Sequence, residues 1–223
     1  VTYSYRLEGR EFHVTREAPG ETSREFLIDF ALGSGHHATT FVSVSDPDPV
    51  LPSLLEHRLT HYAAGDRLDV TPGQREGLDI PGIVPWGRVL SGEDAVKCLR
   101  CHSTRVSRHK DSRVDYETLI PNITCERCHG PGRAHIEAAR RGEDELTMPL
   151  GLDRWTADEM MSACGDCHRH PANAPVGLIA PENPHLARFQ PVGLMQSRCY
   201  TESAGALSCL NCHDPHARVE DDP

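Results

Sequence analysis

Alternating apolar and polar residues predict β-structure near the start of the chain. Apolar side chains recur at every second position over residues 3–7 and again over residues 12–14, after a turn at Gly9. This period is typical of half-buried strands, so the pattern predicts a hairpin. Two further strands are predicted over residues 25–32 and 39–44, because a Gly-Ser-Gly segment between them must bend the chain sharply.

From residue 91 the pattern changes to short helix-compatible segments joined by Pro- and Gly-rich links. Helices are predicted over residues 91–98, 133–141 and 156–163. Thr156 and Glu159 have the spacing of a capping box, in which each residue satisfies a backbone N–H of the other. The cysteine and histidine motifs of the chain are concentrated in this second part.

The composition is unusual for a globular protein. Only 38% of the 223 residues are hydrophobic and 5% are aromatic, which leaves little apolar material for a core made of protein alone. The chain also has nine cysteines and fourteen histidines. These counts indicate that cysteines attach a cofactor and that histidines bind a metal.

Eight of the nine cysteines belong to four copies of the pattern Cys-x-x-Cys-His, the attachment signature of c-type haem. Two thiols at this spacing add to the haem vinyl groups, and the following histidine binds the iron. A random chain of this composition would contain about 0.02 copies. The predicted cofactors are therefore four haem c groups with iron, held by Cys98, Cys101 and His102; Cys125, Cys128 and His129; Cys164, Cys167 and His168; and Cys209, Cys212 and His213.

Zinc sites, thioredoxin-like pairs and disulfides are the alternative interpretations of these cysteines. Two Cys-x-x-Cys pairs would suffice for one zinc ion, but zinc coordination does not require a histidine after every second cysteine. Disulfides in an exported chain would explain the even number of cysteines within the motifs, which is eight, but not the four trailing histidines. The histidines therefore favour haem.

The predicted fold class is a multihaem cytochrome with a small β-rich N-terminal segment, followed by a mostly α and irregular, haem-cored region with little regular secondary structure. Residues 1–90 form the first segment, which contributes distal histidines, and residues 91–223 form the tetrahaem region. The two are expected to make one compact unit. All four motifs lie within residues 98–213, roughly 29 residues per haem, so closely stacked haems are expected.

Each iron needs a sixth ligand, and ten histidines lie outside the motifs. The candidates favoured by position are His135, His216, His37 and His61. His57, His185, His109 and His170 rank below them, and a surface or packing role is the alternative for any one spare histidine. Methionine is another possible ligand, although core packing is the favoured interpretation of Met148, Met160, Met161 and Met195.

Cys199 is the cysteine left over. An intermolecular disulfide, an additional thioether or thiolate ligand, and a buried free thiol are the alternatives, and the buried thiol is favoured.

Compartment and partners follow from the attachment chemistry and the charge. Haem is attached outside the cytoplasmic membrane, so an extracellular or periplasmic location is expected for a mature chain without its signal peptide. No run of about 18 apolar residues predicts a transmembrane segment. The formal net charge of −10 excludes nucleic acid as a natural partner. Redox proteins or extracellular electron acceptors are the expected partners.

The segments CERCHGPGRAH, GSGHH with a later TPG, and GLMQSRCYTESAGALSCLNCHDPH resemble multihaem cytochromes related to the tetrahaem electron acceptor of hydroxylamine oxidation. The resemblance extends from about residue 25 to residue 217. It implies mostly bis-histidine haems in stacked pairs, with His135 as a distal ligand, although one haem in that family can lack a distal ligand. Similar tetrahaem chains polymerise into extracellular filaments, in which a histidine of one subunit can ligate a haem of the next.

Electron transfer through four low-spin haems is therefore the predicted function. The chain is expected to be either a subunit of an extracellular cytochrome filament, a nanowire with haem-to-haem contacts between copies, or a discrete exported carrier. No enzymatic activity is predicted. The alternative is a multihaem enzyme with one open iron acting on small nitrogen compounds, and no spacing in the sequence marks such a site.

Overall fold

A computed structural model describes residues 1–33, 35–45, 53–74, 83–111, 113–143, 148–173, 177, 179–180 and 189–217. Its strands are β1 (Thr2–Glu8), β2 (Glu11–Glu17), β3 (Arg24–Ile28), β4 (Phe30–Leu32), β5 (Ala38–Ser45), β6 (Ser53–Tyr62), β7 (Arg67–Val70), β8 (Ile83–Val84), β9 (Gly87–Leu90), β10 (Ser103–Arg108) and β11 (Val114–Pro121). Its helices are α1 (Gly92–His102), α2 (Cys125–His129), α3 (Arg133–Arg141), α4 (Ala157–His168), α5 (Gln190–Gln196) and α6 (Arg198–Glu202).

The chain divides into two compact units. Unit 1 consists of Val1–His102 and Val106–Ile120, and unit 2 consists of Ser103–Arg105 and Pro121–Pro223. The first Cys-x-x-Cys-His motif therefore belongs to unit 1, together with the sheets. The other three motifs belong to unit 2.

Unit 1 begins with an antiparallel sheet in the order β1-β2-β3. Tyr5 lies opposite Val14 across the hairpin, and Gly9 turns the chain with a φ of +63°, which favours glycine. The predicted hairpin is confirmed. The predicted strand over residues 25–32 is instead two strands, because the chain breaks at Asp29 and continues in a second sheet.

The second sheet has the order β4-β5-β6-β9-β8, and β7 pairs with β6. The predicted strand over residues 39–44 corresponds to β5. Gly87 begins β9 with a φ of +149°, and a Cβ there would lie 2.0 Å from the carbonyl oxygen of Glu56. Only glycine permits this close approach of β9 to β6.

A core of protein side chains fills unit 1. Ala95 and Leu99 of α1 pack with Val42, Leu54 and Val114, and all five are buried. The apolar face of α1 therefore lies on the second sheet and the β10–β11 hairpin. Burial of this kind contributes roughly 25 cal/mol per Å² of apolar surface, so α1 is fixed by its own packing.

The predicted fold class is wrong. Antiparallel strands dominate the described residues and continue beyond residue 90 into the two-stranded β10–β11 sheet, and the second part of the chain is not a mostly helical, haem-cored region. Val114 of β11 is buried in the core, and Tyr116, two positions further along the same strand, packs against that core. The physical reason is that these apolar side chains build a core with α1 inside the protein, so unit 1 needs no cofactor to fill its interior.

Unit 2 contains the remaining helices. The predicted helix over residues 133–141 is α3, and the predicted helix over residues 156–163 is α4, which begins at Ala157 and ends five residues later than predicted, at His168. The capping box of Thr156 and Glu159 is confirmed. The Glu159 N–H donates to Thr156 Oγ1 at 3.2 Å, and the Thr156 N–H donates to Glu159 Oε2 at 2.7 Å.

Candidate haem-attachment sites

The attachment motifs are placed mainly at the ends of helices. Motif 1 ends α1, motif 2 forms α2, and motif 3 ends α4. Motif 4 begins with a 3-10 turn over Cys209–Asn211. In a helix, residues at positions i, i+3 and i+4 lie on one face. The two thiols and the imidazole of each helical motif are therefore presented on the same side, as one haem edge and its iron require.

Motif 1 is rigidly supported. Leu99, between the two cysteines, is 1% exposed in the core of unit 1, and it anchors the helix that carries the half-buried Cys98 and Cys101. His102 is accessible at its surface, yet partial burial lowers its pKa. A lowered pKa favours the neutral imidazole, which is the form that binds a metal.

Motif 2 is followed by a tight turn. Gly130 has a φ of +76°, and the Gly132 N–H donates to Glu126 Oε1 at 2.7 Å, so the chain reverses behind α2 and enters α3. His135 lies in the first turn of α3. Its Nδ1 atom is buried and has no hydrogen-bond partner among the described residues. A buried polar atom without a partner is costly, so this nitrogen is available as a ligand atom.

Motif 3 depends on a glycine within the motif. The chain turns back after α4, and the His170 N–H donates to the Gly165 carbonyl at 2.8 Å. A Cβ on Gly165 would lie 2.5 Å from the His170 Cβ, so a larger residue does not fit. His168 is oriented by its Nδ1 atom, which lies 3.2 Å from Gln190 Oε1. Its Nε2 atom is thereby left as the nitrogen that a metal could bind.

Motifs 3 and 4 meet through their first cysteines. The Cys164 thiol hydrogen-bonds to Cys209, and this bond lowers the pKa of Cys209 to about 6 and raises the pKa of Cys164. The Cys209 Sγ atom also lies 3.5 Å from the Sδ atom of the buried Met161. Motifs 3 and 4 are therefore close together at their first cysteines.

Arg127 of motif 2 and Asp166 of motif 3 form an ion pair. Both occupy the third position of their motifs, CERCH and CGDCH. The sequence analysis does not predict this pair, although the opposite charges at the third position of the two motifs point to it. Beside the pair lies an open cleft of about 670 Å³, with Trp155 on its wall.

The predicted distal histidines have different surroundings. In unit 2, the rings of His216 and His129 have centroids 6.1 Å apart with an interplanar angle of 14°. In unit 1, His37 is exposed, and His61 has its Nε2 atom 2.7 Å from Asp66 Oδ1. The ligand roles of His37, His61, His135 and His216 stay predictions.

The structure gives two of the lower-ranked histidines clear structural roles. His57 is 1% exposed, its Nε2 atom lies 2.7 Å from Ser43 Oγ, and burial lowers its pKa to about 4. It is a core histidine of unit 1. His170 accepts a hydrogen bond from the Ala172 N–H at 3.2 Å, which caps the turn after α4. His185 lies outside the described residues.

A family model described as cytochrome c554 and c-prime matches residues 88–130. This stretch contains α1, the β10–β11 hairpin and α2, and therefore the first two attachment motifs. The chain is similar to c-type cytochromes over these residues. The GSGHH and GLMQSRCY segments lie outside the match. No curated protein and no solved structure matches the chain.

The residues fit c-type haem. Each motif supplies two thiols and an imidazole, and the unpartnered Nδ1 of His135 and the paired rings of His129 and His216 supply further ligand atoms close by. Within the described residues, no three His, Cys, Asp or Glu side chains converge on one metal position. A haem iron needs only two protein ligands, because the porphyrin supplies the other four.

The structure also shows how far the methionines of α4 and the ninth cysteine are buried. Met160 and Met161 of α4 are buried, which confirms their interpretation as core residues. Cys199 of α6 is exposed, so the interpretation of this residue as a buried thiol is wrong. Among the described helices, none combines the length and the apolar composition needed to cross a bilayer.

Proposed function

We propose that this chain binds four c-type haems and transfers electrons through them. The observation that carries the proposal is the fourfold Cys-x-x-Cys-His pattern, two copies of which lie in the stretch that matches the cytochrome c554 and c-prime model. The approach of Cys164 to Cys209 supports close packing of the haems of motifs 3 and 4. When bound, each haem supplies an iron that alternates between the ferric and ferrous states.

The residues of the chain have three tasks in this proposal. The cysteine pairs of the four motifs fix the haem edges, and His102, His129, His168 and His213 bind the irons. Distal imidazoles from His135, His216, His37 and His61 complete the ligation. Gln190 holds the orientation of His168 by the hydrogen bond to Nδ1, and the Arg127–Asp166 ion pair ties motif 2 to motif 3.

Haem counting and film voltammetry test this function together. We expect the pyridine haemochrome assay and intact-protein mass to give four haems per chain, and three in a variant with Cys98→Ser and Cys101→Ser. On an electrode, the protein should give reversible signals without catalytic current in nitrite or hydroxylamine. Fewer than four haems in the wild type would contradict the proposal, and a catalytic current would favour the enzyme with an open iron.

We further propose that the protein works outside the cytoplasmic membrane, either as a filament subunit or as a discrete carrier. Thioether attachment, the resemblance to filament-forming tetrahaem chains and the exposed His37 support this proposal. Electron microscopy of native material, with an absorption spectrum of the same sample, separates the two assemblies. Filaments with low-spin haems indicate a conduit, whereas monodisperse particles indicate a diffusing carrier.

A further inference from the structure

The His129–His216 pair has a geometry that ring packing alone does not explain. The two rings are nearly parallel, at 14°, with centroids 6.1 Å apart. The His216 side chain is 77% exposed, so little apolar surface is buried by the arrangement.

The spacing is that of two imidazoles on opposite sides of one metal ion. An imidazole nitrogen binds a first-row metal at about 2 Å, and the ring centre lies about 1 Å beyond the nitrogen, so two such rings have centres about 6 Å apart. The observed 6.1 Å agrees with this value.

Hydrogen bonds hold the backbone at both histidines. The His216 N–H donates to Asp214 Oδ1 at 2.9 Å, and the same oxygen lies 3.4 Å from His216 Nδ1. A carboxylate beside Nδ1 favours the tautomer in which Nε2 is the free ligand atom. On the other side, His129 ends α2, and its carbonyl accepts a hydrogen bond from the Leu150 N–H at 3.1 Å.

We propose that His129 and His216 are the two axial ligands of one iron, that of the haem attached to Cys125 and Cys128. This assignment rests on the proposed function. It makes His216 a ligand within its own subunit and closes the segment after motif 4 onto motif 2. Because an iron has only two axial positions, His135 must then bind a different iron.

The assignment predicts an electron paramagnetic resonance signature. Near-parallel imidazoles on a ferric iron give a rhombic low-spin signal, whereas perpendicular imidazoles give a highly axial one. The oxidised wild type should contain one rhombic component. His216→Ala should lose that component and gain a high-spin signal from about one haem in four, and added imidazole should restore the low-spin state. His13→Ala, which changes a histidine of β2 in unit 1 that lies beside Glu25 and has no proposed ligand role, is the control and should leave all signals unchanged.

Two further variants keep the test decisive. His216→Met keeps an axial ligand and should leave four haems, with one haem showing thioether ligation and a raised potential. A variant without the motif 2 haem, made by Cys125→Ser with Cys128→Ser, should lack the rhombic component, and adding His216→Ala should then produce no new high-spin iron. A fully low-spin His216→Ala protein with four haems would overturn the assignment while leaving the proposed function intact. A wild type with fewer than four haems would overturn the proposed function itself.

Discussion

Histidines in this chain differ by their environment. His57 lies inside unit 1 between β5 and β9, where Ser43 is its hydrogen-bond partner and water is excluded. His129 and His216 lie where solvent or a cofactor can reach them. Burial without a countercharge disfavours the imidazolium, so His57 is neutral in the folded protein and its role is structural.

The neutral state of His57 predicts a pH dependence of stability. Its pKa is lowered from 6.5 to about 4 in the folded state, so the unfolded chain binds a proton more readily. The associated stability is present above pH 6.5 and is lost as the pH falls toward 4, at up to about 1.4 kcal/mol per pH unit. Denaturant titrations followed by circular dichroism should show this loss in the wild type.

His57→Gln is the matched variant, because its amide can reach Ser43 and does not titrate. The difference in unfolding free energy between wild type and variant should shrink or reverse between pH 6.5 and pH 4. Parallel pH profiles for the two proteins would contradict the assignment of this dependence to His57.

α-Helices carry the first three attachment motifs, and α1 and α4 are fixed by different interactions. In α1 the anchor is the buried Leu99, whereas in α4 it is the capping box of Thr156 and Glu159. A motif placed on a fixed helix presents its thiols and imidazole in a fixed direction, which reduces the ordering needed when haem is attached.

Leu99→Ala tests the anchor of α1. The leucine is 1% exposed, and its truncation in a close-packed core costs about 2–5 kcal/mol. We expect a lower midpoint of thermal unfolding and less haem at motif 1. Lys97→Ala, on the exposed side of the same helix, should change the midpoint little. Equal effects of the two substitutions would argue against packing as the anchor.

Thr156→Ala tests the capping box of α4. The Glu159 N–H would lose its acceptor, and such losses cost about 1 kcal/mol. Thr156→Ser keeps the hydroxyl and should retain most of the stability. Unfolding of the two holoproteins in guanidinium measures the difference. If alanine and serine behave alike, the hydroxyl does not stabilise the helix.

The charge of the whole molecule governs its encounters with small redox reagents. The protein carries a formal charge of −10, and the haem propionates make it more negative. Reduced protein should therefore react with hexaammineruthenium(III), a cation, more slowly as the ionic strength rises, and with ferricyanide, an anion, more rapidly. Stopped-flow absorption measures both rates. The same direction of change for both reagents would show that surface charge does not control the encounter.

The sequence by itself determined the features that depend on neighbouring residues. The four attachment motifs, the hairpin of β1 and β2, and the capping box of α4 all follow from spacings within a few positions of the chain. These spacings act through local geometry, such as the shared face of residues i, i+3 and i+4 in a helix. These local features therefore depend little on how the rest of the chain folds.

Only the tertiary structure decided which distant residues come together. The β10–β11 hairpin joins α1 in a protein core, Cys209 contacts Cys164, and His216 faces His129. No local pattern distinguishes His216 from His57, although one is exposed and the other is buried. The difference arises because burial and pairing depend on the summed packing of segments far apart in the sequence, and that sum is not encoded at any single position.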